Sequence, residues 1–572
     1  MNASRDDTGA RARPQPRKSP LFENRAKLWR GSPLRPLRYG HLLLALVALG
    51  LLWRVVRYAM AFPVWGDEAF VAVNFFYRDF AGMIDPLIYG QIVPLVFMWL
   101  ELAAARTLGY SELALRLVPF VAGVLGLLLY VRFARQVLKR RAALLAIGIF
   151  AAAYYTVRHT AEIKPYSFDL LVALGLLSLG WSLYRSPGCP RRWAGLTALA
   201  LVAPWTSYPS VFALATLAPL LGRALLDPAR RSRAALLGWL GFCLAGGGSF
   251  VAMYLIYGHP HARAAARLLE IDMWARTFPP LTEPLRLVGW FFYMHLGRMM
   301  AYPVGGAAPG SLVTFVLVTI GAAHLWRSGR RDLLWLLLGP LAASFVAACL
   351  HKYPYGGSAR TTQYLAPSFC LLAGLGLYVV IMRTAAGPRR HVLFKLACVI
   401  FAAIAVGGTI QDLLHPYKSE RTRASHRAVL RVARESPAGQ RWIVFNAKDR
   451  VAYAPFLGEL RGSGAQFVFN VLRFAPGPIE FAPPPESVSW QPDERSLRVL
   501  AYRSSRSDIK DEGEFAAWDQ RFSELLDRYT GTLARRLHAD LRSESIFIYD
   551  RHGRREALEV YTLQRPPANR QQ

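Results

Sequence analysis

Cysteine is scarce in this chain. Its five cysteines, Cys189, Cys243, Cys349, Cys370 and Cys398, are scattered through apolar runs or their edges, and none lies beyond Cys398. That pattern excludes a disulfide framework and shows no metal-ligand spacing, so their ordinary reading is as small buried apolar residues. Acidic residues are also few, 37 against 69 Lys and Arg, which leaves a formal net charge of +32. No internal repeat stands out. No Gly-rich phosphate loop, nucleophile elbow or metal motif occurs in the polar C-terminal part, which argues against a soluble enzyme tethered by spans. His159, His295 and His351 have no ligand spacing, so no metal site is assigned.

What is present is apolar: 53% of the residues are hydrophobic. Long apolar stretches separated by short Arg-rich links are the membrane solution to that combination. The basic excess does not point to nucleic acid, because the cations fall in short clusters between apolar runs instead of one basic domain. The segment Met1 to Arg38 is polar, Pro-containing and basic, and the apolar run after it lacks a small-residue cleavage site. It reads as a disordered cytoplasmic tail, residues 1–38, ahead of an uncleaved first span.

A helix needs about 20 apolar residues to cross the hydrocarbon core. Candidate spans begin near His41, Leu113, Ala142, Phe168, Ala194, Ser210, Ala234, Gly310, Leu333, Tyr364 and Val392. The basic links are the N-terminal tail, Arg135 to Arg141, Arg185 to Arg192, Arg223 to Arg233, Arg327 to Arg331 and Arg383 to Lys395. All six lie on one side only if an even number of crossings separates each from the next, and about eleven spans satisfy this. The parity requires that Gln91 to Leu108 not cross. Pro94, Glu101 and Arg106 interrupt that stretch, and a helix lying at the outer interface suits it better. Ala194 to Gly222 barely holds two spans and reads equally as a re-entrant pair, with the same parity.

The outer side then receives Pro63 to Ser111, Gly258 to Pro309 and Lys352 to Gln363, and everything after the last span. The expected architecture is an α-helical polytopic membrane domain over residues 39–410, its outer loop at 63–111. A small α/β domain follows over 411–572. The latter has strand-like runs at Trp442 to Phe445, Phe467 to Val471, Leu497 to Tyr502 and Ile546 to Tyr549. Helical patterns cover Ser425 to Arg434 and Phe515 to Leu541.

Ionisable residues collect where spans meet the outer face. Asp67-Glu68 follows the first span, and Arg116 opens the second. Arg158, Glu162, Lys164, Tyr166 and Asp169 bridge the third and fourth, and Lys352 and Arg360 lie between the ninth and tenth. Each has an ordinary reading: a solvated loop for the acids, snorkelling for Arg116, lipid headgroups for Lys352 and Arg360. Glu162 and Asp169 resist it most, since charge at a span boundary usually pairs or serves a site.

The order Asp-Glu after the first span, Leu115-Arg116-Leu117 before the second and Glu-Ile-Lys-Pro-Tyr-Ser-Phe-Asp (162–169) after the third resembles a known superfamily. It is similar to the integral-membrane glycosyltransferases related to the protein O-mannosyltransferases and lipid A aminoarabinose transferases. Within these it looks closest to the branch typified by the rhizobial lipopolysaccharide-core galacturonosyltransferases. The resemblance covers roughly Leu43 to Met382 and implies a C-type glycosyltransferase fold in the bacterial inner membrane, with its active site and C-terminal domain in the periplasm. It implies a polyprenyl-phosphate-linked sugar as donor and a lipid, glycan or protein as acceptor, with surrounding membrane lipids. A divalent metal ion is open, because relatives differ. The family's catalytic carboxylate falls on Asp67, its second acid on Asp169 or else Glu162, and its late basic residue on Arg360.

Elementary chemistry agrees. Sugar transfer from a phosphate needs a base for the acceptor hydroxyl but no general acid, because the phosphate departs unprotonated. A glycosidase would need two flanking carboxylates. Asp67, with Glu68 beside it, is therefore the expected catalytic group, and Arg360 with Lys352 the expected phosphate ligands, Arg being suited to bidentate phosphate contacts. Arg116 and Lys164 would orient carboxylates or phosphate. Arg158, Glu162, Tyr166 and Asp169 would support that network. A single displacement implies inversion at the anomeric carbon. The rivals are a transporter or flippase, and an inactive scaffold of the same fold. The first should show inverted repeats and midplane charges, which are not seen. The intact Asp67-Glu68 and Arg360 speak against the second.

Overall fold

Every one of the eleven apolar runs becomes a helix, because in lipid a chain can satisfy its backbone only internally. The computed structural model describes residues 36–265, 275–304, 310–445, 463–481, 483–503, 512–549 and 555–566. Most of the expected N-terminal tail lies outside the described residues. Leu46–Gln572 forms one compact unit, and Met1–Ala45 is a separate one whose described part opens the first helix.

The helices are α1 (Pro36–Ala59), α2 (Gly66–Ala72), α3 (Leu95–Leu108), α4 (Leu117–Val137), α5 (Arg140–Ala151), α6 (Tyr154–Arg158), α7 (Tyr166–Arg185), α8 (Pro190–Thr206), α9 (Ser210–Ala224) and α10 (Arg233–Met253). After them come α11 (Pro284–Leu296), α12 (Gly310–Arg327), α13 (Arg331–Cys349), α14 (Ala366–Thr384) and α15 (Gly387–Leu414). Among the described residues seven helices are long and apolar enough to cross a membrane. The α5–α6 region adds an eighth if its 55° bend is counted within one span. The remaining three runs, α8, α9 and α12, are shorter, and the short α8 and α9 fit the tight hairpin expected between Ala194 and Gly222. The 14-residue α3 is too short to span, at about 1.5 Å per residue.

Small residues bring the spans together, as they must where lipid supplies no hydrophobic drive between helices. A Cβ on Gly376 of α14 would lie 1.9 Å from the Leu317 carbonyl oxygen of α12. Asp412 of α15 is buried and ion-pairs with Arg57 of α1, and it also accepts a 2.8 Å hydrogen bond from Trp53 Nε1.

Beyond α15 lie α16 (Glu420–Glu435), α17 (Ser463–Phe474) and α18 (Glu512–Leu537), with strands β1 (Trp442–Phe445), β2 (Ile479–Phe481), β3 (Ser496–Arg503), β4 (Asp540–Tyr549) and β5 (Arg555–Gln564). The sheet order is β2-β1-β3-β5-β4, parallel through β2, β1 and β3 and antiparallel at β5 and β4. The two-residue alternation of strands sorts the two faces. Ile443, Val499 and Leu563 pack with Phe522, Leu526 and Leu533 of α18. Trp442, Val444, Leu500 and Val560 pack on the other face with Val429 of α16 and Phe467 and Val471 of α17. That second core does not stop at the sheet. It continues into Val64, Ala69, Val71, Phe75, Met98 and Leu102 of the 63–111 segment.

The strand expected over Phe467 to Val471 is a correction: these residues form part of α17. Phe467, Val468, Phe469 and Val471 are β-prone, but all are buried, so the run shows no alternation to separate strand from buried helix.

Candidate functional site

Asp67 stands in the first turn of α2, two residues before the apolar core of that helix begins. Its neighbour Glu68 points the opposite way and is fully buried. Arg116 donates to both Glu68 oxygens, through Nε at 2.8 Å and a terminal nitrogen at 2.6 Å. Glu68 also accepts from the backbone N–H of Ile163 at 2.8 Å and of Trp65 at 3.3 Å. One carboxylate thus ties together three segments far apart in sequence, and the buried pair holds α2 in place. Glu68 and Arg116, expected in catalysis and phosphate binding, are spent on each other. Behind them Glu101 of α3 is buried with neither oxygen hydrogen-bonded, and burial, then the Glu68 charge, push its carboxyl well above the usual range.

With Glu68 as anchor, Asp67 faces outward, its side chain 24% exposed. Arg360 donates to its Oδ2 in a short contact, and the Lys164 ammonium lies 3.7 Å from Oδ1. Burial raises the Asp67 carboxyl, but Lys164 and then Arg360 outweigh it, and the net is a carboxylate below its ordinary range. Burial pulls Lys164 the other way, partly offset by Asp67. Lys164 also donates to Gln91 Oε1 at 2.9 Å, a partner the sequence did not single out.

Arg360 is delivered by a shaped loop. Gly356 and Gly357 adopt φ of +63° and +64°, where a side chain is strained, and a Cβ on Gly357 would lie 2.7 Å from Thr277. Tyr355 N–H donates to the Thr277 carbonyl at 3.2 Å, and its hydroxyl meets His295 Nε2 at 3.0 Å. Lys352, at the other end of the loop, is exposed and joins none of these contacts.

Glu162 is buried between Arg158 Nε at 2.6 Å and His159 Nδ1 at 2.8 Å. Burial raises its carboxyl, but Arg158 and His159 hold it well below the usual range. Tyr166 sits within electrostatic reach of Asp67, Arg360, Glu162 and Asp169. Asp169 is buried, and Arg, Lys and His partners are missing from it among the described residues.

Lys418 was not legible as a site residue. It follows α15, six residues after the Asp412 anchor, and precedes Ser419, whose hydroxyl caps α16 by accepting from Thr422 N–H at 3.2 Å. Its ammonium lies 5.0 Å from the Trp65 ring centroid, and the Arg158 guanidinium lies 5.8 Å from the same ring. Although the side chain reaches solvent, partial burial and then the Arg158 charge lower its pKa to about 8. Arg158, Lys164, Arg360 and Lys418 face Asp67 and Glu162, so four cations meet two carboxylates and two positive charges are left over. Among the described residues no group of three or more His, Cys, Asp or Glu is placed to hold a metal ion.

No family model matches the chain, and no curated protein matches it. Among solved structures, ArnT from Cupriavidus metallidurans bound to undecaprenyl phosphate aligns with a TM-score of 0.52 at 13% identity, covering 91% of this chain and 98% of that one. The same protein in the apo state gives 0.50 at 13% identity, covering 90% and 97%. The archaeal oligosaccharyltransferase AglB from Archaeoglobus fulgidus, in complex with an inhibitory peptide and a dolichol-phosphate, gives only 0.43 at 13% identity, covering 93% and 75%. The fold is that of the C-type integral-membrane glycosyltransferases.

Proposed function

We propose that the protein is a membrane glycosyltransferase that moves a sugar from a polyprenyl phosphate to an acceptor on the outer face of a bacterial inner membrane. In this reading residues 39–410 are the membrane domain and 411–572 lie in the periplasm, and the motif order supports a kinship with the rhizobial branch. The observation that carries the reading is the pairing of Asp67, a partly exposed carboxylate, with an excess of cations at the outer ends of apolar helices. The fold match to a structure holding undecaprenyl phosphate supports the donor class.

Asp67 takes the proton of the acceptor hydroxyl as that oxygen attacks the anomeric carbon. The bond from that carbon to the phosphate oxygen breaks, and its electron pair stays on the phosphate. The donor phosphodiester carries one negative charge, and the released lipid phosphate carries up to two. The two surplus positive charges therefore match the product side better, which favours the transition state over the bound donor. Arg360 and Lys164 hold the phosphate from the Asp67 side, and Lys418 and Arg158 from the Trp65 side. Arg116, Glu68 and Gln91 act at one remove, by fixing α2 and Lys164.

The free protein masks its base, because Arg360 rests on Asp67. A bound phosphate competes for Arg360 and leaves Asp67 a stronger base at the moment it is needed. A direct test incubates the purified protein and bacterial envelope acceptors with undecaprenyl-phosphate sugars of known anomeric configuration. Release of undecaprenyl phosphate with an inverted product linkage is expected. A retained linkage would rule out the single displacement.

A further inference from the structure

Buried polar atoms in folded proteins are nearly always hydrogen-bonded, so a group of them without partners calls for an explanation. Such a group lies beside the Asp67 site. Asp169 Oδ1, Ser210 Oγ and both amide atoms of Gln363 are buried with no hydrogen-bond partner, and the Ser207 hydroxyl beside them has only the Asp169 carboxyl within hydrogen-bonding reach. The four side chains come from three places: the first turn of α7, the turn between α8 and α9, and the short helical turn Gln363–Leu365. Ser207 neighbours Asp169, and Ser210 N–H donates to the Ser207 carbonyl at 3.1 Å. The Gln363–Leu365 turn packs on α7, and Gln363 N–H donates to the carbonyl of Arg360, whose guanidinium holds Asp67.

Tyrosines stand around these atoms. Tyr166, Tyr208 and Tyr353, each within electrostatic reach of Asp169, are half-buried. The Tyr208 and Tyr353 hydroxyls are engaged with backbone carbonyls, of Val93 at 3.2 Å and Thr361 at 2.9 Å. Tyr166 belongs to both settings, in reach of Asp67 and of Asp169.

We propose that Asp169, Ser207, Ser210 and Gln363 form the floor of the donor-sugar subsite, and that the sugar it takes carries no acidic group. The proposal rests on the glycosyltransferase reading above. Neutral hydroxyl and amide groups with partly exposed aromatic rings suit a polyhydroxylated ring, which presents hydroxyls at its edge and C–H groups on its faces. The charge decides the class. Among the described residues no Arg, Lys or His pairs with the Asp169 carboxyl of this floor, so a uronate seated on it would bring a second acid beside a buried one. The surplus cations lie on the Asp67 side, where the departing phosphate takes them up. The galacturonosyl specificity of the branch that the motif order resembles is therefore not carried over to this chain.

The test uses purified full-length wild type, Gln363→Ala and the double variant Ser207→Ala, Ser210→Ala. The donors are undecaprenyl phosphates bearing a neutral hexose, an amino sugar or a uronic acid, with sugar-free undecaprenyl phosphate as a binding probe. Wild type is expected to turn over a non-acidic donor with a kcat/KM at least about tenfold above the uronosyl donor. Both variants are expected to lose about tenfold or more on the non-acidic donors while their affinity for sugar-free undecaprenyl phosphate stays within about twofold. Preference for the uronosyl donor, or variants that weaken lipid and sugar-lipid binding alike, would overturn the subsite and leave the glycosyltransferase reading standing. Wild type that consumes none of the donors and does not bind the sugar-free lipid would bring down the glycosyltransferase reading, and this subsite with it.

Discussion

Asp67 and Glu68 are adjacent, yet the fold gives them opposite work. Glu68 is buried under Arg116 and holds α2, while Asp67 meets Arg360 and Lys164 at a partly open surface. Because both cations keep Asp67 ionised in the free protein, its protonation should limit kcat/KM only below the ordinary carboxylate pKa of about 3.9. Donor phosphate draws Arg360 away, so the acid limb of kcat should lie at higher pH than that of kcat/KM. Coincident limbs would show that Arg360 does not move between carboxylate and phosphate. At the alkaline end Lys418 is a cation only below about pH 8, so donor affinity should fall as pH rises through that value. Lys418→Arg should keep the affinity and shift that limb upward, a result read from KM against pH. Glu101 is buried with neither oxygen hydrogen-bonded, and its carboxyl is raised by burial and then by Glu68. A folded-state pKa above the unfolded value makes stability fall as pH rises above the unfolded value, so Glu101→Gln should raise the melting temperature at pH 7 more than at pH 4. Much of this was legible from residue types at span ends: Asp67, Lys164 and Arg360 meet as expected. Lys418 was not, because nothing in a lone Lys after the last span says that the Asp412 anchor and the α16 cap bring it to Trp65.

At the scale of elements, α17 shows both why one expectation failed and what the C-terminal part does. Its β-prone sequence is held as a helix by packing: Phe469 meets Phe76 edge-on at 5.9 Å, and the helix packs against α2. Arg473 at its end pairs with Glu112 at 2.5 Å, just before Arg116. A helix of the C-terminal region therefore braces the element that carries Asp67. Removing one partner of a largely buried ion pair costs about 3 kcal/mol or more, so Arg473→Ala should lower stability by roughly that much in denaturant titration. It should lower kcat as well. Replacing both partners, Arg473→Met with Glu112→Leu, should recover most of the stability. If Arg473→Ala leaves both stability and kcat unchanged, α17 does not brace α2. The strand-like runs at β1, β3 and β4 could be read ahead of the structure, whereas the three-residue β2 is too short to show a period.

Across the whole molecule, the apolar runs and basic links were the most readable feature, since lipid demands helices of a certain length and sequence displays them directly. What they could not convey is that the core of the C-terminal sheet and the core of the 63–111 segment are continuous. Such long-range packing depends on which buried faces meet, and composition carries no record of that. The 63–111 segment, the loop carrying Arg360 and the segment carrying Lys418 meet around Asp67 and Trp65. The most direct test measures undecaprenyl phosphate binding and undecaprenyl phosphate release from its sugar donor, side by side, in wild type and Asp67→Asn. The variant is expected to bind the lipid at least as tightly as wild type, since Arg360 is freed, while release falls by about 10²-fold or more. Release at the wild-type rate by Asp67→Asn would contradict the assignment of Asp67 as the base.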